Sequence, residues 1–329
     1  MKTNRRPKNA KSIRRMISIG LLLIMAIVFT LTTDAFLGFR NIANLLKDSA
    51  YLGIIALGMA FVMIGGGIDL SAGGIVCVVG ILCVRLSMTG VPGIIVVLGG
   101  IVLGAFCGVI NAFFITKIRL TEFVATLATG FIFTGLTLVF SFRQGHSITT
   151  VPVVNKSYLA FRGNIGGIYY ITIIWIILAI ILYLLLTKTS FGLHTYAIGS
   201  HSRSALMSGI DTSKVKALGY LISGGAAGLA AVLQVTLIGA SPPNIGTGYE
   251  FRAIAACVVG GVVLGGGKGD TLSALLGSLF LVMLLNGLFK FGLSTSWEYI
   301  LQGVIILIAT AFDAVFNRIT AKRLLAQSH

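Results

Sequence analysis

Few residues in this 329-residue chain have chemistry to offer, since only nine are carboxylates. Asp69 stands out. It lies in Gly65-Gly66-Gly67-Ile68-Asp69-Leu70-Ser71-Ala72-Gly73, between two long uncharged runs. A carboxylate amid apolar segments is costly and needs water or a partner. The flanking glycines permit an unwound backbone whose amides, together with Ser71, would satisfy it. Two roles fit: a cap for the apolar run that follows, or a contact on a solute pathway. A second acid, Glu250, ends the polar stretch Ser241-Pro242-Pro243-Asn244-Ile245-Gly246-Thr247-Gly248-Tyr249, with Arg252 nearby to offer a counter-charge. Asn111 and Asn286 are amides set inside otherwise apolar runs. Weakly interacting groups of this kind suit a small, hydrophilic, uncharged solute.

Between residues 188 and 216 the chain turns polar. Ser200 or Ser202 can cap a short helix that Gly209 terminates, and such a helix presents Ala205, Leu206 and Met207. An apolar face on a connecting loop lies on a membrane or docks into another protein, and the residues alone fit both. Gly265-Gly266-Gly267-Lys268-Gly269-Asp270 looks phosphate-friendly, but the Walker spacing fails and Gly269 stands where Ser or Thr would hold magnesium. His146, His194, His201 and His329 are scattered without metal spacing. Cys77, Cys83, Cys107 and Cys257 all lie in apolar runs and read as small core residues. No nucleophile and base constellation emerges, so neither an enzyme nor a cofactor is expected.

The elements that must position these residues are set by composition. Hydrophobic residues make up 56% of the chain and charged residues 10%, against roughly 25% charged in soluble domains. The expected fold is an all-α polytopic membrane protein. Uncharged runs at 16–33, 49–68, 92–116, 123–142, 165–187, 217–240 and 271–289, with shorter ones at 73–84, 253–267 and 299–312, give about ten crossings of roughly 20 residues. Of the 25 basic residues, 17 fall on the inner side when crossings are counted from a cytoplasmic amino terminus. The net charge of +16 is therefore a topology signal that places both termini inside, with no nucleic-acid partner expected. The expected organisation is a basic cytoplasmic stretch at 1–15, one transmembrane domain at 16–316 and a cytoplasmic tail at 317–329. Gly is 42 of 329, about twice its usual share of roughly 7%, as close helix packing in lipid requires.

The halves resemble each other. Gly67-Ile68-Asp69 precedes Cys77-Val78-Val79-Gly80, and Gly248-Tyr249-Glu250 precedes Cys257-Val258-Val259-Gly260. These segments belong to the third and eighth spans, five crossings apart, so the copies run in opposite directions. Both spans are short and interrupted by glycine, the sequence pointer to broken helices around a transport pathway.

Several separated motifs, in order from about Phe36 to Asp313, resemble the permease subunits of bacterial monosaccharide ABC importers. They are Gly66-Gly67-Ile68-Asp69-Leu70-Ser71, Tyr196-Ala197-Ile198-Gly199 leading to Ser208-Gly209-Ile210, Gly246-Thr247-Gly248-Tyr249-Glu250 with Ala253-Ile254-Ala255, and Gly265-Gly266-Gly267-Lys268-Gly269. The resemblance implies a second permease copy, a separate cytoplasmic ATP-binding subunit and an extracytoplasmic sugar-binding protein. It also implies a fold similar to the vitamin B12-type importers, in the bacterial inner membrane. By this resemblance Gly199, Ser200, His201, Ser204, Ala205 and Gly209 belong to the segment seated on the ATPase, and Asp69, Ser71, Asn111, Glu250 and Asn286 to the translocation pathway. The sequence departs from the family pattern at Ala72, at Phe251-Arg252 and at Glu122. The rival reading is a proton-coupled secondary carrier using Asp69, Glu122 or Glu250 as a relay.

Overall fold

The computed structural model describes residues 9–33, 35–142, 150–292, 296–297, 299–308 and 311. Residues 1–8 and the expected tail at 317–329 lie outside them. Helices dominate: α1 (Asn9–Thr32), α2 (Phe39–Ile64), α3 (Ala72–Ser87), α4 (Gly93–Thr116) and α5 (Glu122–Ser141) come first. A short section follows, with β1 (Val151–Pro152), α6 (Lys156–Leu159), β2 (Asn164–Ile165) and β3 (Ile168–Tyr169). Then come α7 (Tyr170–Lys188), α8 (Ser190–Met207), α9 (Thr212–Ile238), β4 (Ala240–Ser241), α10 (Tyr249–Gly260) and α11 (Thr271–Lys290), and the apolar helix α12 (Tyr299–Ile308). Six described helices, α2, α4, α5, α7, α9 and α11, are long and apolar enough to cross a membrane.

The short helices lie where glycine interrupts the apolar runs. At 1.5 Å per residue α3 extends about 24 Å and α10 about 18 Å, less than the roughly 30 Å hydrocarbon core. Each follows a break, at 65–71 and 239–248. α2 ends in a Schellman turn: Gly66, at φ +86, donates to Met63 O and Gly67 donates to Val62 O. α10 ends the same way, with Gly261 at φ +105 donating to Val258 O and Val262 donating to Cys257 O. The predicted eighth span, 253–267, thus stops at Gly260, and the predicted sixth, 165–187, begins with the β2–β3 hairpin. The stretch 188–216, expected as a connecting loop, is mostly helical, because Thr189 accepts from Gly192 N and starts a new helix one residue after α7.

Two helices form the centre. In their most apolar windows α2 is 78% buried and α9 72%, against 39% or less for α4, α5, α7 and α11. The outer helices turn large apolar side chains such as Val102, Phe106 and Phe131 outward, as lipid contact requires. α4 and α9 meet backbone to backbone. Gly100, Gly104 and Gly108 on α4 face Gly228, Gly224 and Tyr220 on α9, and a Cβ on any of these glycines collides with the other helix's backbone or side chain. Small residues at four-residue spacing are what lets membrane helices approach this closely. At the far end of α3, Asn155 donates to Ser87 O and Val91 O, and Tyr158 OH donates to Val232 O at 2.8 Å. α6 thereby ties the α3–α4 turn to α9.

Candidate functional site

The break at 65–71 is held by two polar stripes on otherwise apolar helices. On α5 the stripe is Glu122, Thr126 and Thr129; on α9 it is Lys216, Tyr220 and Ser223. Each set has i, i+4, i+7 spacing, which stacks its members on one helix face. Thr126 Oγ1 accepts the Leu70 amide at 3.0 Å, Tyr220 OH donates to Ile68 O at 3.1 Å, and Ser223 Oγ donates to Asp69 Oδ2 at 2.7 Å. The Lys216 Nζ to Glu122 Oε1 distance is 2.6 Å, which bridges the stripes at the amino-terminal ends of α5 and α9.

Asp69 is fully buried. Its Oδ1 accepts from the Ser71 amide at 3.0 Å and from Ser71 Oγ at 2.6 Å. Asn111 Nδ2 donates to Ser71 Oγ at 2.7 Å, and Thr129 Oγ1 donates to Asn111 Oδ1 at 2.5 Å. One network thus joins the α2–α3 break to α4, α5 and α9. Hydroxyls and an amide compensate the carboxylate, which is what a buried acid without a cation requires. Neither Asp69 nor Ser71 caps α3 by its side chain; Asp69 fixes the turn before that helix instead.

Of the residues expected on the pathway, Asp69, Ser71 and Asn111 come together. Glu250, on the first turn of α10, lies across from them: its carboxylate and the Gly246 carbonyl fill the space beside Gly73 on the first turn of α3. The short helices therefore meet through their amino-terminal turns. Asn286 is elsewhere, on α11, with its buried Oδ1 unbonded among the described residues. Tyr249 is turned inward, its OH bonded to Gln234 Nε2 at 2.5 Å and its ring 5.2 Å from the Arg252 guanidinium. A cavity of about 20 Å³ beside the Glu122–Lys216 pair is lined by Gly65, Gly67, Thr195 and Tyr220, room for about one water. Asp69's donors are Ser71 and Ser223, while Glu122 is engaged by Lys216.

α8 breaks at His201, whose φ −156 and ψ 90 are non-helical. Beyond it Ser202, Arg203, Ser204, Leu206, Met207 and Ser208 are exposed. The expected terminator is present as a Schellman turn: Gly209, at φ +82, donates to Leu206 O, and Ile210 donates to Ala205 O. Ala205 does not share the exposed face. It is buried with Ile198 and Val215 and anchors the segment, leaving Leu206 and Met207 as its apolar surface. Gly199 points inward as well, toward Ile64 O and Gly267 N. Thr126, Thr129, Tyr220 and Ser223 are the members that sequence reading missed; the signal available was polar residues at helical spacing within apolar runs.

A family profile described as "Branched-chain amino acid transport system / permease component" matches residues 41–310. The chain is 38% identical over 292 residues to the ribose import permease protein of Bacillus subtilis (strain 168), a match that covers 89% of this chain and 90% of that protein. It is 33% identical over 299 residues to the D-allose transport system permease protein of Escherichia coli (strain K12), covering 91% of this chain and 90% of that protein. With the galactose/methyl galactoside import permease protein of Haemophilus influenzae the identity is 32% over 309 residues, covering 89% and 92%. No solved structure matches the chain.

Proposed function

The chain belongs to the family of ABC-importer permeases, and from that membership we propose that it is the membrane subunit of an importer that carries a monosaccharide such as ribose into the cell. The observation that carries this reading is similarity along nine tenths of both chains to permeases whose names specify ribose, allose and galactose. ATP is hydrolysed on a separate subunit, and an extracytoplasmic binding protein delivers the sugar. The permease domain, 16–316, crosses the inner membrane ten times in two inverted halves of the vitamin B12-type architecture and pairs with a second permease copy. Both termini, including 1–15 and 317–329, are cytoplasmic. Support for opposed halves comes from the two short helices, each preceded by a break and meeting at their amino-terminal turns.

Within that frame the pathway runs beside the first turns of α3 and α10. Asp69, Ser71 and Asn111 hold the α3 end in shape, Glu250 borders it from α10, and Asn286 contributes from α11. The segment from Gly199 to Gly209 is the contact for the ATPase: Ser200, His201 and Ser204 border it, Ala205 anchors it, and Leu206 and Met207 insert. Such a helix buries its apolar residues in a partner's groove.

Uptake of labelled ribose by cells carrying the full transporter tests the reading, with allose and galactose as competitors. Uptake is expected to stop on ATP depletion and to survive collapse of the proton gradient. Dependence on the gradient with ATP present would reassign the chain to the secondary carriers.

A further inference from the structure

We infer that a backbone junction of four glycines, Gly66, Gly199, Gly266 and Gly267, carries motion from the ATPase-docking segment to the turn that holds Asp69. The inference rests on the docking role proposed for Leu206 and Met207 and adds the route from that surface to the pathway.

Three segments meet at the junction: the end of α2, the first part of α8, and the α10–α11 turn. Gly267 N donates to Ile64 O at 2.8 Å. Gly199 is pressed against the same carbonyl and against Gly267 N. A Cβ on Gly266, whose φ is +79, lands 2.7 Å from Gly199 O and 2.8 Å from Gly66 Cα, and one on Gly267 lands 2.9 Å from Ser200 Cα. Tyr196 OH donates to Gly269 O at 2.7 Å and closes the junction from α8.

Its position gives it a mechanical meaning. Gly199 lies two residues before the break at His201, where the exposed segment leaves the line of α8. Ile64 lies five residues before Asp69, and Gly267 three residues before Asp270, whose Oδ1 caps α11 by accepting the Ser273 amide at 2.8 Å. One contact thus touches the break before α3 and the turn that leads into α11. Side chains absorb small displacements by changing rotamer, whereas a contact of backbone on backbone has no rotamer to change, so a shift of α8 is passed on. The glycines are positioning residues: they touch no solute.

Reconstituted liposomes holding permease, ATPase and binding protein provide the test. In Gly266→Ala and Gly267→Ala, both outside the docking segment, the ATPase is expected to copurify in wild-type amount and to hydrolyse ATP, while sugar moved per ATP falls at least tenfold. A wild-type ratio in both variants overturns the inference. If neither variant assembles, Tyr196→Phe decides, since it removes only the hydroxyl that bonds Gly269 O: a threefold or greater fall in the ratio supports the junction, and an unchanged ratio overturns it. Failure of the docking reading has its own signature, in that Leu206→Ser combined with Met207→Ser then leaves the ATPase bound.

Discussion

Asp69 gains its fixed place from groups that are individually ordinary. Its Oδ2 has Ser223 as its donor, so Ser223→Ala removes the bond and leaves a buried acceptor oxygen unsatisfied, at a cost of about 1–3 kcal/mol. Asp69→Asn replaces one acceptor oxygen with a donor facing a hydroxyl or an amide, and uptake is expected to fall at least tenfold. Thermal unfolding in mild detergent and sugar uptake check both; wild-type values in the two variants would remove the network from any role in folding or transport. That Asp69 would need hydrogen-bond partners was legible from an acid among glycines between apolar runs. So was its partner Ser71, which donates to Oδ1; Ser223 was not, because it lies 154 residues away and a serine on an apolar helix is unremarkable chemically. Asn286 shows the converse: it is an amide inside an apolar run, as Asn111 is, yet it stands outside the Asp69 network.

Among the elements, the α4–α9 pair has the sharpest packing requirement. Backbone atoms of Gly224 and Gly228 lie where any side chain on Gly104 would go, so Gly104→Leu must push the helices apart, with an overpacking cost of about 1–3 kcal/mol or more. Gly135 on α5 has nothing within 4 Å of its would-be Cβ and makes the control. Gly104→Leu is expected to lower the unfolding midpoint and Gly135→Leu to leave it unchanged; equal effects would show that the seam is not special. Long spans were readable from apolar length alone. The helical course of α8 was not, since its residues are mixed in polarity and its helix is held by burial of Thr195, Ile198 and Ala205, the last two packed with Val215 of α9. Phe191 of α8 stacks on Phe61 of α2 at 5.9 Å, another contact that no local pattern announces.

For the whole molecule the proposed topology makes a direct claim about its two faces. The segment beyond His201 is assigned to the cytoplasm and α6 to the opposite side. The four native cysteines are buried, so background labelling is low. Ser202→Cys and Lys156→Cys are expected to react with a membrane-impermeant thiol reagent from opposite sides, Ser202→Cys only in inside-out vesicles. Labelling of both from one side would refute the inverted arrangement. The glycine seam also bears on how the molecule is made. Gly104 and Gly224 are 120 residues apart in the chain, and ribosomes add roughly 5–20 residues per second. α4 therefore waits in the bilayer for roughly 6–24 s with its bare backbone ridge unmatched, and whatever lipid or insertion factor shields that ridge must leave cleanly when α9 arrives.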